Sequence, residues 1–212
     1  MVAVLPLNSA AAHPHIFIET GLQLIFDDQS KLAAARIVWV YDEFFSLVIL
    51  EDNGLDPDGD GVLTDAETKT IQGFDMNWDP GFAGDLYALQ NDLPLALSRP
   101  MEFTATLENG RLISTHLRAL ETRIAVDDEP VRLQVYDPDY CTAYTMAIEP
   151  IVQGRAGCKA QIIVPDPTEA SKELETAFAE LSAVQTLDDL GVENFPAIGA
   201  AYAEEVQVTC AP

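Results

Sequence analysis

Apolar and polar residues alternate along 15–26, with Ile16, Ile18, Leu22, Leu24 and Phe26 spaced as one buried face of a β-strand. Asp27-Asp28-Gln29-Ser30 reads as a turn, and 32–41 as the partner strand, with Ile37, Trp39 and Tyr41 on one side. The pattern changes over 42–51, where Phe44, Phe45, Val48 and Ile49 predict a helix. A second helix is expected over 64–74. Segments 101–107 and 112–120 flank Asn109-Gly110, the dipeptide that best marks a tight β-hairpin. Further strands are predicted at 123–126, 131–136, 142–148 and 159–164. Asp166-Pro167-Thr168-Glu169 is a helix start with proline at its first position. The helix it opens carries Ala170, Leu174, Ala177, Phe178 and Leu181 on one face. A short helix near 195–203 and a strand at 206–210 close the chain. The sum is an α+β fold: one mainly antiparallel β domain over 13–212, with a helix–loop–helix insertion at about 42–75 and C-terminal helices.

The loop between the first two helices carries the clearest chemistry. Residues 56–67 read Asp-Pro-Asp-Gly-Asp-Gly-Val-Leu-Thr-Asp-Ala-Glu, and every slot of a twelve-residue EF-hand loop is filled. Asp56, Asp58 and Asp60 stand at positions 1, 3 and 5, and Gly61 at the sharp turn. Val62 offers a carbonyl, Thr64 a water-mediated contact, and Glu67 a closing carboxylate. A hard cation needs six to eight oxygens at roughly 2.3–2.6 Å, and alternate residues of a tight loop supply them. The expectation is a structural Ca2+ site. The stretch from Asp75 to Asp85 lacks the spacing and the closing Glu, and reads as an acidic loop without a ligand.

Charge sharpens this picture. The 212 residues include 35 acidic and 11 basic side chains, a net charge of −24, which disfavours nucleic acid and anionic lipid as partners and attracts cations. Apolar runs fall short of the roughly 18–20 residues that span a bilayer. Residues 1–12 end in Ala10-Ala11-Ala12, an Ala-x-Ala cleavage pattern, and are read as the remnant of a secretory signal peptide. Cysteine usage agrees with export. Cys158 and Cys210 flank the C-terminal segment and could close it, a bridge worth up to about 4 kcal/mol on the chain-entropy model. Cys141 is left over as a buried free thiol.

Three histidines are present: His13, His15 and His116. His13 and His15 flank Pro14 at the expected mature N-terminus, and imidazoles suit nickel, zinc or copper. Pro14 has no N–H to lose, so metal capture through a deprotonated second amide is blocked. Side chains must then supply the site, with Asp42 and Glu43 as further ligands. His116 pairs with Phe103 if Asn109-Gly110 is a two-residue turn, and it reads as a satisfied core histidine. Gly-rich phosphate loops, Cys-x-x-Cys pairs and nucleophile elbows are missing from the sequence, and Ser46 lies in an apolar helix. The chain is therefore read as a binding protein and not as an enzyme.

Several segments occur together in order: His13-Pro14-His15 before a strand, Trp39-Val40-Tyr41-Asp42-Glu43 entering a helix, and Gly54-Leu55-Asp56 entering the acidic loop. Tyr136-Asp137-Pro138-Asp139-Tyr140, Gly157-Cys158 and Val208-Thr209-Cys210 follow. With them the chain resembles a family of periplasmic proteins, a domain of unknown function, associated with nickel/cobalt-type metal transport systems. The resemblance runs through nearly all of 13–212. It implies a periplasmic location and a membrane permease as partner. Cys141 departs from the family pattern, where an aromatic residue is expected, which supports the pairing of Cys158 with Cys210. The functional expectation is a metal-binding accessory protein for a divalent transition-metal transporter, with calcium bracing the fold. The alternative is a calcium-stabilised structural or interaction module without a transition-metal role.

Overall fold

The computed structural model describes residues 14–127, 129–184 and 198–211. Eleven strands outnumber four helices among them. The long alternating segments form β1 (Ile16–Phe26) and β2 (Leu32–Tyr41), paired antiparallel with Ile18 opposite Tyr41. β5 (Met101–Glu108) and β6 (Arg111–Ile124) form the expected hairpin. Asn109 and Gly110 both have positive φ (52° and 76°), the two left-handed residues that a tight hairpin of this hand requires. β8 (Thr142–Thr145) and β9 (Ile151–Gln153) both run parallel to β1, one against each half of it. The first sheet is thus mixed, in the order β5-β6-β2-β1-β8 with β9 beside β8 on β1.

The second sheet holds β3 (Leu86–Gln90), β4 (Leu93–Pro94), β7 (Val131–Val135), β10 (Cys158–Ile163) and β11 (Glu205–Cys210). Its order is β10-β11-β7-β3-β4. Cys158 and Cys210 sit opposite each other in the β10–β11 ladder and are joined by a disulfide. Leu24, Ile37 and Leu112 of the first sheet and Val131, Leu133, Val206 and Val208 of the second belong to one buried cluster. That shared interior is the main source of stability, since burying each such side chain is worth roughly 1.5–3 kcal/mol.

The α+β expectation is overturned: the molecule is mainly β. A clear EF-hand helix–loop–helix does not form at 42–75. α1 (Glu43–Asp52) is followed by only seven residues of α2 (Asp65–Ile71), which stops short of the expected 74. Gly73 takes a left-handed φ of 72° just beyond it, and Gln72 leaves the helix to act as a strand mimic. Its amide donates to the Ala105 carbonyl at 2.7 Å and accepts from the Ala105 N–H at 2.9 Å. Each helix packs on a strand, α1 on β6 and α2 on β5. Ser46 docks α1, because its hydroxyl accepts from the Leu112 N–H at 2.9 Å in a buried contact.

Smaller differences have local causes. The strand predicted at 123–126 is the end of β6. The one predicted at 142–148 stops at Thr145, where the chain turns over Thr20. β3 and β4 form a hairpin through Asn91 and Asp92, both at positive φ, a turn the sequence analysis did not read. The helix predicted at 166–169 is present as α3 (Pro167–Val184), with the Asp166 carboxylate accepting from the Thr168 N–H at 2.8 Å. α4 (Ile198–Tyr202) leads into β11; the earlier part of the predicted final helix, 195–197, lies outside the described residues.

Candidate functional site

The acidic loop is shaped by its own carboxylates. The Asp56 carboxylate accepts from the N–H groups of Asp60 at 3.1 Å and Gly61 at 3.1 Å, and Asp60 accepts from Val62 at 2.8 Å. Gly61 turns the chain at φ 76° in open space, so what the position demands is backbone freedom, not room. Asp56, Asp58 and Asp60 offer oxygens within 4.8 Å of one another, the one such convergence of acidic, histidine or cysteine ligands among the described residues. Three clustered carboxylates with oxygen-only chemistry fit a hard divalent cation. Glu67 stands apart from them. One of its oxygens accepts from the Asp56 N–H at 3.0 Å, the other from the Thr64 N–H at 2.8 Å and the Thr64 hydroxyl at 2.6 Å. Glu67 thus ties the loop's two ends together, and the Thr64 bonds hold its carboxyl below the usual range. The Thr64 hydroxyl, expected to face an ion, is engaged with Glu67. The Val62 side chain points outward, while Leu63 packs against the core.

The second set of expected ligands lies where β1 begins and α1 starts. The Asp42 carboxylate accepts from Phe17 N–H at 2.9 Å and Phe45 N–H at 2.8 Å, capping α1 and pinning it to β1. His15 is held at the sheet edge through its backbone N–H, which donates to the Cys141 carbonyl at 2.8 Å. His15, Asp42 and Glu43 line one surface groove of about 750 Å3, together with Glu19 and Arg111. Arg111 is committed to Glu19 at 3.0 Å and to the Tyr41 and Val40 carbonyls at 2.7 and 3.0 Å. The groove collects the expected ligands but does not bring their coordinating atoms within 4.8 Å. His13 lies outside the described residues.

His116 corrects an expectation. It is fully buried on β6 opposite Ile37, as a core residue should be, yet neither ring nitrogen has a protein partner. Its ring meets the indoles of Trp39 and Trp78 edge-on, at centroid distances of 4.7 and 5.6 Å. The predicted pairing with Phe103 is displaced by a shift of register between Met101 and Thr104. Burial, then Arg118 and Arg36, hold its pKa down at about 3, so the ring is neutral. Cys141 is a free thiol, half-buried where it was expected to be buried. Partial burial and the charges of Asp137 and Asp139 push its pKa up, which makes it a poor nucleophile.

The loop from Asp75 to Asp85, expected to be a plain acidic loop, turns its two end aspartates toward buried hydroxyls. The Asp75 carboxylate takes hydrogen bonds from the Tyr41 hydroxyl at 2.8 Å and the Ser114 hydroxyl. The Asp85 carboxylate accepts from the Tyr144 hydroxyl at 2.8 Å. Burial raises both carboxyl pKa values, that of Asp85 to about 7. Trp78, between these two aspartates in sequence, donates its indole N–H to the Asp75 carbonyl at 2.8 Å. Gly84 makes room for it, since a Cβ there would overlap the indole. Arg118, itself buried, stacks over the same ring at 4.9 Å. The available signal was aromatic density: Phe74, Trp78 and Phe82 are unusual in a solvated acidic turn.

A two-sheet β protein with a clustered acidic loop and a groove lined by a histidine and carboxylates is the class this geometry defines. The chain belongs to the family described as protein of unknown function (DUF1007), whose profile matches residues 1–210. A search of curated proteins found no match. No helix among the described residues is long and apolar enough to cross a membrane.

Proposed function

We propose that this is an exported metal-binding accessory protein of a divalent transition-metal transport system, braced by calcium in its acidic loop. The observation that carries the metal-binding reading is the convergence of Asp56, Asp58 and Asp60 within 4.8 Å. These three residues would hold the calcium, which supplies charge neutralisation to carboxylates that otherwise repel. The transition metal is cargo. Its reading rests on the groove shared by His15, Asp42 and Glu43, with His13 two residues before His15. Export is supported by the Cys158–Cys210 disulfide, a bond that persists in oxidising compartments. A membrane permease is the partner that the family resemblance implies.

The alternative, a calcium-stabilised module without transition-metal cargo, is favoured by one observation. Both Asp42 oxygens already accept backbone N–H groups, and the groove's ligand atoms are spread apart. Isothermal titration with nickel, zinc and copper in saturating calcium separates the two. Stoichiometric binding of micromolar or better affinity (about −8 kcal/mol or stronger), lost in His13→Ala and His15→Ala, supports the accessory reading. Binding that survives both substitutions removes the groove as the site. Absence of binding leaves the braced module.

A further inference from the structure

We propose that the pocket on the first sheet, bounded by β1, β2, β8, α1 and the loop from Phe74 to Asp85, is a binding site for a small organic cation, an amine held by Asp75 and Asp85 among aromatic side chains. This goes beyond the metal reading and uses none of its residues. The cavity has a volume of about 230 Å3, and its lining includes Trp39, Tyr41, Trp78, Phe82 and Tyr144 around the two carboxylates. Asp85 is only 6% exposed, and its Oδ1 has no protein partner. Asp75 Oδ1 and Trp39 Nε1, on two other lining residues, are likewise buried without partners. Buried polar atoms are almost always hydrogen-bonded, and leaving one unpaired is costly. Two of these atoms on the walls of one pocket are carboxyl oxygens, which call for a ligand with N–H donors; the third, the Trp39 indole N–H, is itself a donor. Phe82 is 43% exposed and marks the mouth.

The chemistry of the walls selects the class. Aromatic faces attract cations through their quadrupoles, most strongly where water is excluded. A metal ion is disfavoured, because Asp75 and Asp85 do not converge with a third acidic, histidine or cysteine ligand within 4.8 Å. An anion is disfavoured by the two carboxylates and by the net charge of −24. The remaining hydrogen bonds fix the cage: Tyr41 and Ser114 hold one Asp75 oxygen and Tyr144 holds one Asp85 oxygen, so the other oxygen of each is left for the ligand.

Both tryptophans of the chain line this cavity, so intrinsic fluorescence reports on it. The full chain is titrated in saturating calcium with benzylamine, and with benzyl alcohol and benzoate as neutral and anionic comparators. The expected result is saturable quenching by benzylamine, at least ten-fold weaker for benzyl alcohol and absent for benzoate. Asp85→Asn, whose Asn suits the left-handed φ of 52° at this position, should weaken benzylamine at least ten-fold. Equal responses to amine and alcohol, or no saturable response to the amine, overturn the proposal. The comparator series on the unsubstituted chain decides the matter even if Asp85→Asn does not fold. Metal titration at the groove is read separately, so either reading can fail alone.

Discussion

Two groups of aspartates in this molecule differ in almost every physical respect. Asp56, Asp58 and Asp60 are neighbours in sequence, solvent-facing in the main, and hydrogen-bonded to their own loop. Asp75 and Asp85 are ten residues apart, largely withdrawn from water against the first sheet, and bonded to hydroxyls from β2, β6 and β8. The first group repels itself, and the proposed cation would relieve it. The second has lost its water, and its charge is controlled by burial and by tyrosine and serine hydroxyls. The same side chain therefore shapes an exposed loop in one place and anchors buried hydroxyls in the other.

The largest effect should come from breaking the buried group. Asp75→Ala leaves the Tyr41 and Ser114 hydroxyls without their acceptor, and at about 1–3 kcal/mol for each orphaned group the loss should be about 3 kcal/mol. Asp75→Asn keeps an oxygen acceptor and should cost less than half as much. Denaturant unfolding measures both. Equal stability of Asp75→Ala and the unsubstituted chain would show that water replaces the carboxylate, and would erase the contrast.

Next in size is the calcium brace. At a calcium concentration a hundred times its dissociation constant, binding to the folded chain alone adds about 2.7 kcal/mol. Glu67→Gln should lower the melting temperature more in calcium than in chelator, where only the loss of a Thr64 bond is felt. Equal destabilisation in both conditions would assign Glu67 to the loop's hydrogen bonds alone.

The contrast between the two groups is also a contrast in legibility. The acidic loop is visible because a linear spacing rule places its oxygens. β1, β2 and the β5–β6 hairpin are visible because a period of two and an Asn-Gly turn are local signals. The inner site is not local. Asp75 is defined by Tyr41, 34 residues earlier, and Ser114, 39 residues later, and Asp85 by Tyr144, 59 residues later. The expected second helix ends at Ile71, three residues early, for a similar reason: Gln72 finds Ala105 across the fold, and a local pattern does not show that partner. β9 is only three residues long and pairs parallel to β1, so its own sequence carries almost no signal.

A third test uses pH. Asp85 has its folded pKa raised by burial from 3.8 to about 7, so its contribution to stability is complete below 3.8 and lost as pH rises through 7. His116 has its folded pKa lowered by burial from 6.5 to about 3, so its contribution is complete above 6.5 and lost as pH falls toward 3. Between pH 4 and 6.5 the two slopes oppose. Relative to the unsubstituted chain, Asp85→Asn should therefore gain stability as pH rises from 4 to 7. His116→Phe should lose relative stability over the same rise. Melting temperatures at half-unit pH steps check both signs, and parallel profiles for all three chains would show that neither group is shifted as described.

The smallest effect is the most specific to the outer group. Asp58 is exposed and is not a hydrogen-bond acceptor in the loop's own turn, unlike Asp56 and Asp60. Its carboxylate adds repulsion to two neighbours within 4.8 Å and, without an ion, gives nothing back. Asp58→Asn should thus stabilise the chelated protein by a few tenths of a kcal/mol, about the size of a like-charge pair on an exposed surface. In calcium the sign should reverse, because a ligand charge is lost, and the midpoint of calcium-dependent stabilisation should move to higher concentration. Raising the salt should shrink the gain in chelator, since exposed charges are screened over about 10 Å at 0.1 M ionic strength. The same substitution logic fails inside: Asp85→Asn changes the pH profile with little response to salt, because the groups around it are withdrawn from the ions that screen the loop. A salt-dependent change at Asp85 or a salt-independent one at Asp58 would collapse the distinction between the two groups.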